Sequence, residues 1–376
     1  MTRRILEVFG AMNRGGAETW LMHVVRHIDR QQFQIDFLVH TTQPAAYDDE
    51  LHALGSKVIP CMHPSRPRTY AHNLRRILQE HGPYDVVHSH VHHFSGYILR
   101  LAYQAGVPAR IAHSHRDSSM LQAKARLPRR LYVALMQRWI HHYATCGLAA
   151  SQKAAAALFG RDWERDPRYR LLYCGIDLEP FRQPVDRAQV RAELGIPPEA
   201  FVVGNVARFN EEKNHQFFVD IAAEITKRAP CPYFLLVGDG ALRPTIEARV
   251  AELGLKDRFV FAGLRPDIPC LMKGAMDVFL LPSLFEGLPL VGLEAQAAGL
   301  PMVLSDTIAE ELTVVRDLAR QVSLQQPASV WAETVLGMHE NVGINVRSEA
   351  LSILEGTPFN IRSSTELLGN IYAHEK

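Results

Sequence analysis

Short apolar runs alternate along this chain with stretches in which apolar positions recur every three to four residues. In the first half Arg4–Phe9, Phe33–Val39, Lys57–Ile59, Val86–His88 and Arg110–His113 read as strands, and Glu18–His27, Tyr70–Glu80 and Gly96–Ala105 as helices. Gly147–Ala150 and the Ala-rich Ser151–Phe159 continue the series, with Ser151 as an N-cap. The pattern restarts after Leu171-Leu172-Tyr173-Cys174-Gly175. Phe201–Ala207, Tyr233–Val237, Arg258–Phe261, Val278–Leu281 and Met302–Leu304 then read as strands, and His215–Arg228 and Leu242–Leu253 as helices. Strands alternating with helices predict parallel sheets covered on both faces. The expectation is an α/β chain of two Rossmann-like, doubly wound domains facing a central cleft. The first spans 1–180 and the second 190–350, joined through the proline-bearing Asp177–Ala192. A tail, 351–376, carries a helix at Ser363–His374 that is expected to pack back toward the first domain.

Composition changes this picture little. At 376 residues, 47% hydrophobic and 22% charged, the chain has the size and make-up of two ordinary globular domains. The five cysteines are dispersed, without a CxxC pair, which argues for reduced thiols and a cytoplasmic protein. The N-terminus lacks a signal-peptide apolar stretch, and no uninterrupted 18-residue apolar segment occurs, so a membrane span is not expected. Charge is informative only when divided. Residues 1–180 hold 23 Lys and Arg against 15 Asp and Glu, and 15 of the 18 histidines. This positive half either suits an anionic partner such as lipid phosphate or is ordinary surface variation. The excess is densest in Ala123–His142, where Lys124, Arg126, Arg129, Arg130 and Arg138 mix with Leu131, Val133, Leu135, Trp139 and Ile140. That segment reads either as a basic amphipathic element for a membrane surface or as an ordinary helix with a solvated face.

The most specific chemistry lies in Leu281–Gly299, LPSLFEGLPLVGLEAQAAG. The strand Val278–Leu281 turns through Pro282–Leu288 into a helix whose first turn suits Pro289. Glu286 is expected in the turn and Glu294 about a turn into the helix, beside the peptide N–H groups of Gly287, Leu288 and Leu290. Carboxyl edges of parallel sheets with a helix N-terminus bind nucleotides and phosphates. Arg208 and Lys213, in ARFNEEKNH after a strand, offer two cations to a phosphate, or else pair with Glu211 and Glu212. Gly15-Gly16 after the first strand exposes backbone N–H groups at a helix start, although a tight turn alone also explains it. His88-Ser89-His90-Val91-His92-His93 raises a metal reading, since alternate residues of a strand share a face.

These pieces, in this order, resemble the retaining GT-B glycosyltransferases, and within them glycosyltransferase family 4, also called the group 1 glycosyltransferases. The match rests on Gly15-Gly16-Ala17-Glu18, Val87-His88-Ser89-His90, Ile111-Ala112-His113-Ser114-His115, Gly175-Ile176-Asp177, Arg208 with Lys213, Gly238-Asp239-Gly240 and the Glu286/Glu294 pair. The resemblance implies that Arg208 and Lys213 neutralise the β-phosphate of a nucleotide diphosphate sugar. It implies that Glu294 holds the ribose hydroxyls, that Glu286 contacts the donor sugar, and that Gly15, Gly16 and Gly238 line the donor. It gives His115 a hydrogen bond to the donor sugar, and His113 is expected on the opposite strand face. Catalysis is expected from Glu286, His115, Arg208 and Lys213, without a metal or cofactor, and the sequence has no Asp-x-Asp site. The expected reaction moves a hexosyl unit, from a UDP-sugar, to a hydroxyl of a glycan or lipid-linked acceptor with retained configuration. The family suggests bacterial exopolysaccharide or cell-surface glycan synthesis, with peripheral contact to the inner membrane surface and no nucleic-acid partner. Competing readings are a nucleotide-sugar epimerase or sugar-phosphate synthase on the same fold, or a non-enzymatic nucleotide-sugar or metal-binding protein.

Overall fold

The structure, a computed structural model, describes residues 2–117 and 126–375. The chain divides into two compact units, Met1–Gly175 with Ile361–Lys376, and Ile176–Asn360. In the first, seven parallel strands lie in the order β3-β2-β1-β4-β5-β6-β7. They are β1 Arg3–Phe9, β2 Phe33–Val39, β3 Val58–Pro60, β4 Val86–Ser89, β5 Ala109–Ser114, β6 Cys146–Ala149 and β7 Tyr169–Leu171. Alternation along β1 sorts its side chains. Leu6 and Val8 join a buried apolar cluster with Tyr70, Leu74, Ile98, Ala154 and Leu158. Ile5, Glu7 and Phe9 take the opposite face. The helices Gly16–His27 and Ile361–His374 pack on each other, and Trp20 Nε1 donates to Ser364 Oγ at 3.3 Å. Ser151 caps Gln152–Phe159 as expected, accepting from Ala154 N at 3.2 Å.

The second unit is a six-stranded parallel sheet ordered β10-β9-β8-β11-β12-β13. Its strands are β8 Phe201–Val206, β9 Pro232–Val237, β10 Phe259–Gly263, β11 Val278–Leu281, β12 Met302–Ser305 and β13 Ala319–Val322. Val203, Phe218, Phe234, Leu280 and Trp331 form its apolar centre. Both sheets reverse strand order beside their first strand, between β1 and β4 and between β8 and β11. Such reversals open a crevice at the carboxyl ends of the strands.

The expected domain limits shift. The division falls at Gly175, and Asp177–Ala192 is built into the second unit. Lys273 Nζ donates to Phe181 O (2.6 Å) and to Gln183 O, while Arg187 and Arg191 hold Asp277 at 2.7 and 2.8 Å. The buried Arg191 also donates to the carbonyls of Pro198, Ala200 and Ala275, so the segment is anchored rather than a bare linker. At the other end the second unit runs to Asn360, and only then does the chain re-enter the first.

Candidate functional site

In the second unit the β8–β11 reversal brings two loops together. After β8, Asn210 accepts from Lys213 N at 3.2 Å and closes a short turn over Glu211–Lys213. Asn214, with φ of 55°, then turns the chain into the helix His215–Thr226. Its Nδ2 donates to Pro282 O at 3.1 Å, and Leu284 N donates to Glu212 O at 2.8 Å. Held this way, Lys213 Nζ donates to Glu286 Oε1, which also accepts from Ser283 Oγ at 3.0 Å. Both side chains of this ion pair are largely shielded, at 19% and 13% exposure. The sequence therefore identified the two ends of one contact without foreseeing it. Lys213 pairs with Glu286, not with its neighbours Glu211 and Glu212. Arg208 follows the same strand and is exposed.

Glu294 lies in the helix Leu290–Ala297, for which Pro289 is the N-cap residue and not part of the first turn. Its half-buried carboxyl makes no side-chain hydrogen bond among the described residues, and burial raises its pKa to about 7. A carboxyl with unfilled acceptor capacity at a sheet edge suits a pair of ligand hydroxyls. Gly287, Leu288 and Leu290 are buried, so only their backbone could serve a ligand. Gly238, at φ 137°, has a packing reason of its own. A Cβ there would lie 2.1 Å from Ala207 O, because the loop after β9 runs against the segment carrying Arg208. Phe209 N donates across to Asp239 O at 3.0 Å.

In the first unit, Gly15 is the N-cap residue and Gly16 the first residue of the helix that follows β1. A Cβ on Gly15 would strike the Glu18 carboxylate at 2.4 Å, whereas one on Gly16 would meet nothing within 4 Å. That carboxylate is the movable end of a flexible side chain and Gly15 has an extended backbone, so steric need explains neither glycine. His115 directly follows β5. Its ring stands 4.0 Å from that of His113, so the two share a face, contrary to the expected opposition. Residues two apart on a strand point the same way. Burial lowers the His115 pKa to about 3, with the neighbouring His88 adding to the effect, so the ring is neutral at ordinary pH.

The run His88–His93 does not act as one cluster. His92, with φ of 53°, breaks the alternation and begins a separate turn with His93. Instead β1, β4 and β5 gather His88, His90, His113 and His115 around the fully buried Glu7. Ring nitrogens of His88, His90 and His113 lie within 4.8 Å of one another. The sequence reading missed Glu7 and Tyr372. The available signal was a lone carboxylate inside the apolar strand RRILEVF, since a buried charge requires partners.

The basic segment is sorted as well, apart from Ala123, Lys124 and Ala125, which lie outside the described residues. In the helix Leu127–Tyr143, Val133, Met136 and Ile140 are buried. Leu127, Leu131 and Leu135, four apart, form an exposed apolar stripe among arginines.

Two family models match the chain. Glycosyltransferase Family 4 covers residues 14–180, and Glycosyl transferases group 1 covers 186–340. The Bacillus subtilis protein EpsF, whose glycosyltransferase designation is itself provisional, is 39% identical over 336 residues, covering 89% of this chain and 87% of its own. The Escherichia coli UDP-Gal:alpha-D-GlcNAc-diphosphoundecaprenol alpha-1,3-galactosyltransferase is 32% identical over 59% of this chain and 58% of its own. Among solved structures, Anabaena Alr3699/HepE in complex with UDP and glucose shares the fold with a TM-score of 0.81. It is 19% identical, over 98% of this chain and 99% of that one. With both halves matched in order, and a relative covered nearly end to end, this chain belongs to the group 1, family 4 glycosyltransferases and has their GT-B fold.

Proposed function

We propose that this glycosyltransferase moves a hexosyl unit from a UDP-sugar to a hydroxyl of a glycan or lipid-linked acceptor, with retention, in the synthesis of a bacterial exopolysaccharide or surface glycan. The observation that carries the donor assignment is the Lys213–Glu286 pair joined across the β8–β11 reversal, with the unpartnered Glu294 carboxyl on the following helix. UDP is favoured by the galactosyltransferase relative and by the UDP-bound HepE structure. In this reading Glu294 accepts from the ribose hydroxyls and Glu286 from a sugar hydroxyl. Arg208 and Lys213 offset the charge that grows on the β-phosphate as the C1–O bond breaks. The acceptor oxygen bonds to C1 on the face the diphosphate leaves, and its proton passes to the leaving phosphate. No metal has a step in this scheme. Gly15 and Gly16 give backbone donors, and His115 meets the sugar.

The test incubates the protein with UDP-, GDP- and ADP-sugars and an acceptor pool, following free nucleotide, glycosylated product and anomeric configuration by NMR. Equal release of UDP and product with retention is expected. Epimerised donor without release would instead support the epimerase reading. Glu286→Ala should lower kcat about 100-fold, and unchanged transfer would remove Glu286 from its role. The exposed leucine stripe among arginines supports a peripheral contact with an anionic membrane surface, at which a lipid-linked acceptor would be met.

A further inference from the structure

With His90 neutral, as its burial favours, the cluster around Glu7 has one internally consistent proton arrangement. Glu7 Oε1 accepts from Tyr372 O–H, and Glu7 Oε2 lies 2.7 Å from His90 Nε2. A carboxylate accepts only, so His90 carries its proton on Nε2 and its Nδ1 is an acceptor. That Nδ1 lies 2.7 Å from His115 Nε2, which must therefore be the donor. His115 Nδ1 is left as an acceptor, its one partner among the described residues being the weak donor of the buried Cys174 thiol, with Sγ at 3.7 Å. The second arm obeys the same logic. Tyr372 has spent its proton on Glu7, so His88 Nδ1 donates to the Tyr372 oxygen at 2.7 Å. His88 Nε2 then accepts from His113 Nδ1 at 3.2 Å, and His113 Nε2 ends the arm without a partner. One carboxylate thus sets four imidazole tautomers. His90 is clamped further by stacking on Phe9, with centroids 4.2 Å apart.

We propose that Glu7 and His90 are positioning residues that fix His115 as its Nε2–H tautomer, leaving Nδ1, held only by a weak thiol contact, as the acceptor for a hydroxyl of the bound sugar. The assignment rests on the sugar-contacting role proposed above for His115. An acceptor-only nitrogen selects a hydroxyl donor and rejects a ligand oxygen that can only accept. Tautomer control of this kind is costly to lose, about 10⁴-fold in kcat in a serine hydrolase triad.

The experiment is long-range ¹H–¹⁵N NMR of the full chain labelled at histidine. Wild type should show His90 and His115 both as Nε2–H tautomers. Finding His115 as Nδ1–H would overturn the proposal without any variant. His90→Phe keeps an aromatic ring on Phe9 but removes the acceptor, so His115 should become a mixture of tautomers. Tyr372→Phe, which cuts only the other arm, should leave His115 as Nε2–H. A pure Nε2–H His115 in folded His90→Phe would refute the relay. In assays, His90→Phe should lower kcat at least tenfold with UDP affinity unchanged, and an unchanged kcat would also overturn it. One equivalent of Zn²⁺ taken up by His88, His90 and His113 would instead make these rings metal ligands and end the proposal. If wild type neither binds nor transfers a nucleotide sugar, the function fails while the tautomer result still decides the relay.

Discussion

At the scale of single residues, the carboxylates divide by what surrounds them. Glu286 is satisfied by Lys213 and Ser283, and Glu7 by Tyr372 and His90. Glu294 has only burial, and its raised pKa makes two predictions. If the carboxylate grips ribose hydroxyls, nucleotide affinity rises with pH through about 7, and Kd at pH 6 should be about tenfold weaker than at pH 8. Calorimetry across that range checks this, and Glu294→Gln should flatten the profile. Stability runs the other way. A folded pKa above the unfolded one favours the folded state fully below about 4.5, and that contribution is lost as pH rises through 7. Glu294→Gln should therefore raise the apo melting temperature at pH 8 more than at pH 4.

At the scale of elements, most strands and helices were legible because both units use buried parallel strands, whose apolar runs are unbroken. The strand β13 was not. Its ARQV has exposed Arg320 and Gln321 between two buried ends, so an edge strand of four residues carries no apolar run. For the candidate site the sequence offered residues but not their contacts. Arg208, Lys213, Glu286 and Glu294 stand in recognisable motifs, yet only the folded loops reveal that Lys213 reaches Glu286. The histidine face needed three strands in register, and a run such as His88–His93 misleads where a positive φ interrupts it. The close approach of the β9 loop to the β8 loop also has a testable cost. Gly238→Ala must place a Cβ against Ala207 O at a left-handed φ. It should destabilise by about 1–3 kcal/mol or more, read as a lowered Tm with weakened nucleotide binding.

For the whole molecule, the decisive feature is that the chain leaves the first unit at Gly175 and returns to it at Ile361. The returning helix buries Ile361, Leu368, Ile371 and Tyr372. At about 1.5–3 kcal/mol each this is comparable with the whole stability of a domain. Removing 361–376 should abolish the first unit's calorimetric transition and leave the second unit's Tm within about 3 °C. Surface chemistry belongs to this scale too. No helix among the described residues is long and apolar enough to cross a membrane. If the basic leucine stripe meets an anionic surface as proposed, binding to vesicles rich in anionic lipid should be lost at high salt. Sedimentation with such vesicles should fall when Leu127 and Leu131 are both changed to Ser. The double crossing also fixes an order of birth. On the ribosome the second unit is synthesised entire while the first still lacks the tyrosine that Glu7 and His88 require. At ~5–20 residues per second that wait lasts roughly 10–40 s. Throughout it, Glu7 and its histidines have no lid, so the nascent first half is the part of this chain that a chaperone would have to protect.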